Sequence, residues 1–137
     1  MMAVLFEVQL APGRTGDYLA EAAALRDALE AIEGFLSVER YQSLADPDRL
    51  LSLSFWRDEE AVTRWRTLER HREAQARGRA GVFADYRLRI ANVIRDYGMH
   101  APREQAPADS RRYHDEAGTS PTDSSERAPS SRPPARG

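Results

Sequence analysis

Hydrophobic period switches several times along this chain, and the order of the switches restricts the fold more than any other feature. Val4, Phe6, Val8 and Leu10 alternate with Glu7 and Gln9, the two-residue period of a half-buried strand over residues 2–10, ended by Ala11-Pro12-Gly13. From Gly16 to Glu33 the period lengthens: Tyr18, Ala22, Leu25, Leu29 and Ile32 recur every three or four residues, the stripe of an amphipathic helix. Thr15 or Asp17 is placed to cap its start and Gly34 to stop it. Phe35–Leu44 reads as a second strand, with Leu36 and Val38 facing away from Glu39 and Tyr41. Ala45-Asp46-Pro47-Asp48 is a turn, and Arg49–Trp56 returns as a third strand.

Asp58-Glu59-Glu60 puts negative charge where a helix N-terminus favours it. Ala61, Val62, Trp65 and Leu68 then form a second apolar stripe, with more helix from Glu69 to Ala76 before Gly78 and Gly81 break it. Val82–Tyr97 is a long closing strand, in which Val82, Ala84, Tyr86, Leu88 and Ile90 alternate with Phe83, Asp85, Arg87 and Arg89. The order β-α-β-β-α-β predicts an α+β fold, a ferredoxin-like antiparallel sheet with both helices on one face. The other sheet face carries Val and Leu among its charges and needs cover. A second copy of the same sheet is the simplest source, which predicts a homodimer.

Residues 1–98 are read as this one domain and residues 99–137 as a tail. Six of the eight prolines lie beyond residue 100, and Ser, Thr, Asp and Arg dominate there. Such a segment buries too little apolar area to offset its conformational entropy, so disorder is expected from about residue 115. Pro102–Tyr113 is expected as a frayed linker, with draping over the domain or its partner as the alternative.

Composition removes several function classes. The net charge of −2 has both signs scattered along the chain and gives no field for steering nucleic acid or anionic lipid. All 20 basic residues are Arg, interleaved with acids, a coding bias and not a phosphate-reading device. The absence of Cys excludes thiolate nucleophiles and Cys-based metal centres. No Gly-rich phosphate loop or nucleophile elbow is present, and one histidine before the tail is too few for a protein metal site. The first residues lack a basic n-region and meet Glu7, and no apolar run is long enough to span a bilayer. A cytoplasmic location without membrane attachment is expected.

Glu33-Gly34-Phe35-Leu36 entering the second strand, Leu51–Trp56 leading to Asp58-Glu59-Glu60-Ala61, Trp65 with His71 downstream, and the closing strand Val82–Ala91 form a pattern that resembles the antibiotic biosynthesis monooxygenase family. That resemblance covers the whole of the expected domain and implies a dimeric α/β barrel. The family's heme-degrading branch uses an Asn on the first strand, a Trp on the second helix and a His as iron ligand. Trp65 matches the Trp, but Phe6 and Gln75 stand at the other two positions, with His71 one turn too early. The branch that oxygenates anthrone-like polyketides without metal or flavin uses an Asn one turn before the same Trp, where this chain has Ala61, and an Arg that Arg87 or Arg89 would supply.

The resemblance therefore implies a monooxygenase without a tightly held cofactor, acting on a small aromatic or polyketide-like compound. Such an enzyme must bind a flat apolar body, move a proton and stabilise an oxyanion. Trp65, Trp56 and Tyr86 form the expected apolar wall; His71, whose ordinary pKa suits proton transfer near neutrality, is the expected shuttle. Arg87 and Arg89 are the expected anion holders. Each also has a plainer role: the tryptophans as core, His71 as a surface helical residue, the arginines in cross-strand ion pairs with Glu7, Glu39 or Asp85. A non-catalytic small-molecule-binding or stress-associated domain of the same fold is the competing reading, and isomerase or dehydratase work with His71 as acid or base is a third.

Overall fold

The computed structural model of the chain describes residues 1–76 and 81–112, with residues 70–76 by backbone only. The elements are β1 (Met2–Leu10), α1 (Thr15–Glu30), β2 (Phe35–Gln42), β3 (Arg49–Trp56), α2 (Glu59–Ala76) and β4 (Phe83–Asn92), the β-α-β-β-α-β order that the hydrophobic periods require. The four strands form one antiparallel sheet in the order β2-β3-β1-β4, the ferredoxin-like arrangement. Cross-strand partners share a face, so the register sorts the side chains. Val4, Phe6, Val8 and Leu10 of β1 lie with Leu50, Ser54 and Trp56 of β3 on the face that the helices cover. Leu5, Glu7 and Gln9 lie with Arg49, Leu51 and Leu53 on the open face.

Two buried clusters hold helices to sheet. Val4, Leu29, Trp56, Ala61, Val62 and Trp65 make one, joining the end of α1 and the first turns of α2 to the β1–β3 centre. Val8, Leu10, Tyr18, Leu50 and Val82 make the other, at the start of α1. Burying side chains of this size stabilises by roughly 1.5–3 kcal/mol each, before the entropy cost of ordering them.

The structure corrects the sequence reading at both ends of α1, at the end of β4 and inside β4, and β2 ends at Gln42 and not at Leu44. Neither Thr15 nor Asp17 caps α1: Arg14 occupies the N-cap without a side-chain cap bond, the Asp17 carboxylate pairs with Arg14 at 3.0 Å, and the Thr15 hydroxyl points to Asp48 at 3.5 Å. The helix ends at Glu30, ahead of Gly34, because two reverse-turn bonds, Ile32 N–H to Leu29 and Phe35 N–H to Ile32, take over the chain. β4 stops at Asn92 and not at Tyr97, since β1, its hydrogen-bonding partner, has ended at Met2. A β-bulge opposite Gln9 and Leu10 breaks the β4 alternation at Ala84, so that Phe83 rotates onto the helix face beside Tyr18, with ring centroids 5.9 Å apart.

Contacts divide the chain into Met1–Ile94 and a second unit starting at Arg95. Within the second unit, residues 95–112 carry hydrogen bonds of their own in place of the frayed linker expected for Pro102–Tyr113. The Arg103 guanidinium donates to the carbonyls of Gly98 (2.9 Å) and Ser110 (3.2 Å), Gln105 accepts from the Asp96 amide (2.7 Å), and the Arg111 side chain donates to the Glu104 carbonyl. The disorder expected beyond residue 115 concerns residues outside those described.

Candidate functional site

The residues singled out from the sequence, His71 aside, fall in three places. Trp56 and Trp65 belong to the buried cluster between α2 and the sheet: Trp56 is 0% exposed and Trp65 7%. Their rings lie 6.3 Å apart and tilted, with Phe35 edge-on to Trp56 at 5.3 Å. The Trp56 indole N–H donates to the buried Ser54 hydroxyl at 2.9 Å, which satisfies both polar groups and fixes the ring.

Tyr86 stands on the same sheet face but further across, on the edge strand β4, where its ring lies 5.6 Å from that of Phe6. Its neighbours on that face are Leu88, opposite Phe6, and Ile90, opposite Val4. Tyr86, Leu88 and Ile90 are 55%, 37% and 44% exposed. With Phe6 and Phe83 they form an apolar strip that continues the two buried clusters toward the sheet edge. Val4, under Trp65, touches the strip through Ile90, and Phe6 joins it to the cluster around Tyr18.

Arg87 and Arg89 occupy the opposite, open face. Arg89 pairs with Glu7 at 3.1 Å, a diagonal cross-strand bridge, while Glu7 stands directly across from Arg87. Glu39 is engaged elsewhere, accepting from the Tyr41 hydroxyl at 3.1 Å. That hydrogen bond is the main reason the Tyr41 phenol titrates above its ordinary range. The structure therefore brings Tyr86 together with Phe6, Leu88 and Ile90, brings Trp56 together with Trp65, and sets the two arginines on the far side of the sheet from both. His71 lies on the α2 backbone six residues after Trp65; its side chain and that of Gln75 are outside those described.

Phe6, Phe83, Leu88 and Ile90 were not singled out as lining residues. Their signal was present in the alternation of β1 and β4, but it takes the strand order to show that β4 is an edge and that its helix-side face is only partly covered. Chemically, the strip offers aliphatic and aromatic surface with one phenol, suited to a flat apolar molecule. Among the described residues no group of three or more His, Asp or Glu side chains is placed to hold a metal ion. No described helix is long and apolar enough to cross a membrane.

Alignment with known proteins agrees with this fold. Residues 1–77 match the family model for antibiotic biosynthesis monooxygenase. Jasmonate monooxygenase ABM of Pyricularia oryzae is 42% identical over 115 residues, 84% of this chain and 54% of that protein, so the chain spans about half the length of this relative. Among solved structures, PA3566 of Pseudomonas aeruginosa superposes with a TM-score of 0.58 at 21% identity, covering 69% of this chain and 94% of that one. A variant of MhuD, solved with two manganese protoporphyrin IX molecules per active site, gives 0.58 at 21% identity over 72% of this chain and 99% of that one. At such identities the two solved structures speak to the fold alone. With more than half of its length under the family model and a β-α-β-β-α-β sheet of matching topology, the chain belongs to the antibiotic biosynthesis monooxygenase family.

Proposed function

We propose that this chain is a monooxygenase that works without a tightly held cofactor on a small aromatic or polyketide-like compound, seated against the apolar strip of β4. The observation that carries this reading is the strip itself: Phe6, Tyr86, Leu88 and Ile90 present a half-exposed apolar surface beside the packed tryptophans, in a chain whose 42%-identical relative is named a monooxygenase. A flat substrate with an acidic C–H would lie on this surface. Its carbanion would reduce dioxygen, one oxygen atom ending as the new carbonyl and the other leaving as water. The Tyr86 hydroxyl is the polar group of the strip nearest to hand for a developing oxyanion. His71, by its place on α2 after Trp65, is the proposed proton carrier. Trp65 and Trp56 act as the wall behind the strip, and Arg87 and Arg89, on the other face, make no direct contact with this substrate.

The assembly in this proposal is a homodimer through the open face. At one end of that face Ala3, Leu5, Leu53, Phe55 and Ala91 stand side by side on three adjacent strands, an apolar patch that a second copy would cover. Leu53→Glu would place a charge at its centre, and light scattering should then report monomer.

The test of the reaction is oxygen uptake by the purified protein over a panel of electron-rich aromatics, with and without added heme or flavin. Uptake without cofactor that falls at least tenfold in Tyr86→Phe or His71→Ala supports the oxygenase. A non-catalytic ligand-binding domain is favoured instead by one observation, that the charged side chains of β4, Asp85, Arg87 and Arg89, gather on the face opposite the strip and leave it a single phenol. Saturable binding of an aromatic that raises Tm, with no oxygen consumed under any condition, would decide for it.

A further inference from the structure

The open face is divided. Opposite its apolar end, the C-terminal half of β1 and the facing ends of β3 and β4 form a half-open pocket of about 290 Å³ lined chiefly by Glu7, Gln9, Arg49, Asp85, Arg87 and Arg89. We propose that this charged corner binds a small monocarboxylate.

Charge and hydrogen bonding narrow the ligand class. Three guanidiniums and two carboxylates leave the corner one positive charge in excess. Most of its groups are already committed: Arg89 pairs with Glu7 at 3.1 Å, Asp85 accepts the Tyr86 amide at 2.8 Å, and the Gln9 amide donates to Asp46 at 3.1 Å. Arg49 and Arg87 have no ion pair among the described residues. They sit on the two strands flanking β1, Arg49 opposite Gln9 on one side and Arg87 opposite Glu7 on the other. Strands two apart in a sheet are about 10 Å apart and the two positions differ by two residues of β1, about 7 Å along the strand, so the arginines face each other across a diagonal of about 12 Å, a span that their two side chains close from both ends around one carboxylate. A single negative charge neutralises the corner. A phosphate dianion overshoots it and meets Glu7 and Asp85, and a cation meets the excess guanidinium. The volume accommodates a body of benzoate size. This site stands on the face opposite the apolar strip and does not depend on the oxygenase reading.

The experiment is isothermal titration calorimetry of the full chain with benzoate, acetate and inorganic phosphate at matched ionic strength, with light scattering run in parallel. Saturable heat is expected for the two carboxylates, weaker for phosphate. Arg49→Gln and Arg87→Gln should each lower benzoate affinity about tenfold, the loss of one charge-assisted hydrogen bond. Arg66→Gln, an exposed position on α2, should leave it unchanged, and unaltered melting curves would show the variants folded. Absence of saturable heat, or heat equal in all variants, would overturn the site. So would an Arg87→Gln protein that turns monomeric while the parent shows no carboxylate binding, since the corner would then be an ion-pair patch against a second copy. A monomeric parent that still binds benzoate through Arg49 and Arg87 would sink the dimer and leave the carboxylate site standing.

Discussion

A methyl group at position 34 would separate two demands that glycine meets together. Gly34 has φ +89°, and a Cβ there would lie 2.7 Å from the Cβ of Ala61, inside van der Waals contact. The closeness follows from the way the turn is tied to α2: the Arg57 amide donates to the Gly34 carbonyl at 2.8 Å and the Arg64 guanidinium to the Glu33 carbonyl at 3.0 Å. Gly34→Ala should therefore destabilise by about 2 kcal/mol or more in urea unfolding, the left-handed strain plus the displaced helix. At Gly81, where φ is +103° and a Cβ would meet nothing within 4 Å, only the dihedral cost remains. Asp58 acts in the same corner through charge. Its carboxyl titrates below the usual range, held there first by the Ala61 amide at 2.9 Å and then by Arg57. A folded pKa below the unfolded one means stability that is fully present above the ordinary Asp value of about 4 and lost as pH falls through the folded value. Asp58→Asn should then melt below the parent at pH 7, and the gap should close as both are taken toward pH 3; a constant gap would mean that Asp58 acts only as a neutral cap.

At the scale of elements, β4 is the strand that departs most from its sequence reading. Its helix-side residues are aliphatic and aromatic like those of β1, yet they remain a third to a half exposed. Leu88→Ala should accordingly cost about 1 kcal/mol or less, against about 2–5 kcal/mol for Leu10→Ala in the buried cluster, a contrast that paired urea titrations would measure. Equal costs would mean that Leu88 is covered. β1 and β3 were legible to the residue because two-residue alternation ends sharply at Pro12 and at the charges after Trp56. The helix N-cap was not legible: Thr15 and Asp17 have the right chemistry, but Asp48 and Arg14, set in place by the fold, hold their side chains instead. Nor was the bulge at Ala84, since β4 alone continues its alternation and the slip appears only against β1. The sequence supplied candidate residue types for a site, and the sheet register supplied their positions. Trp56 and Tyr86 share the sheet face against which Trp65 of α2 packs, whereas Arg87 and Arg89, which alternate with Tyr86 along β4, lie on the other face and so apart from all three.

On the scale of the whole chain, the stretch after β4 matters more than its composition suggests. The match to the Pyricularia oryzae relative runs over 115 residues, longer than all of Met1–Ile94, so it extends into the second unit, while the two solved structures cover 69% and 72% of the chain. Pro, Ser and Arg in that stretch gave a frayed-linker reading because no apolar period is present, but a hydrogen-bonded clasp needs none. Arg103 bonds the Gly98 and Ser110 carbonyls, and the Gly98 and Asp96 amides are bonded to Pro102 and Gln105 within the same turn of chain. Hydrogen bonds from a charged donor that is partly solvated are worth on the order of 1 kcal/mol. Arg103→Ala should raise the hydrogen-exchange rates of the Asp96 and Gly98 amides by about five- to tenfold, with the amides of Val4 and Val8 in the sheet unchanged, because local opening costs only the bonds it breaks. Unchanged exchange at Asp96 and Gly98 would show instead that the turn is ordered by its backbone bonds and that Arg103 merely decorates it.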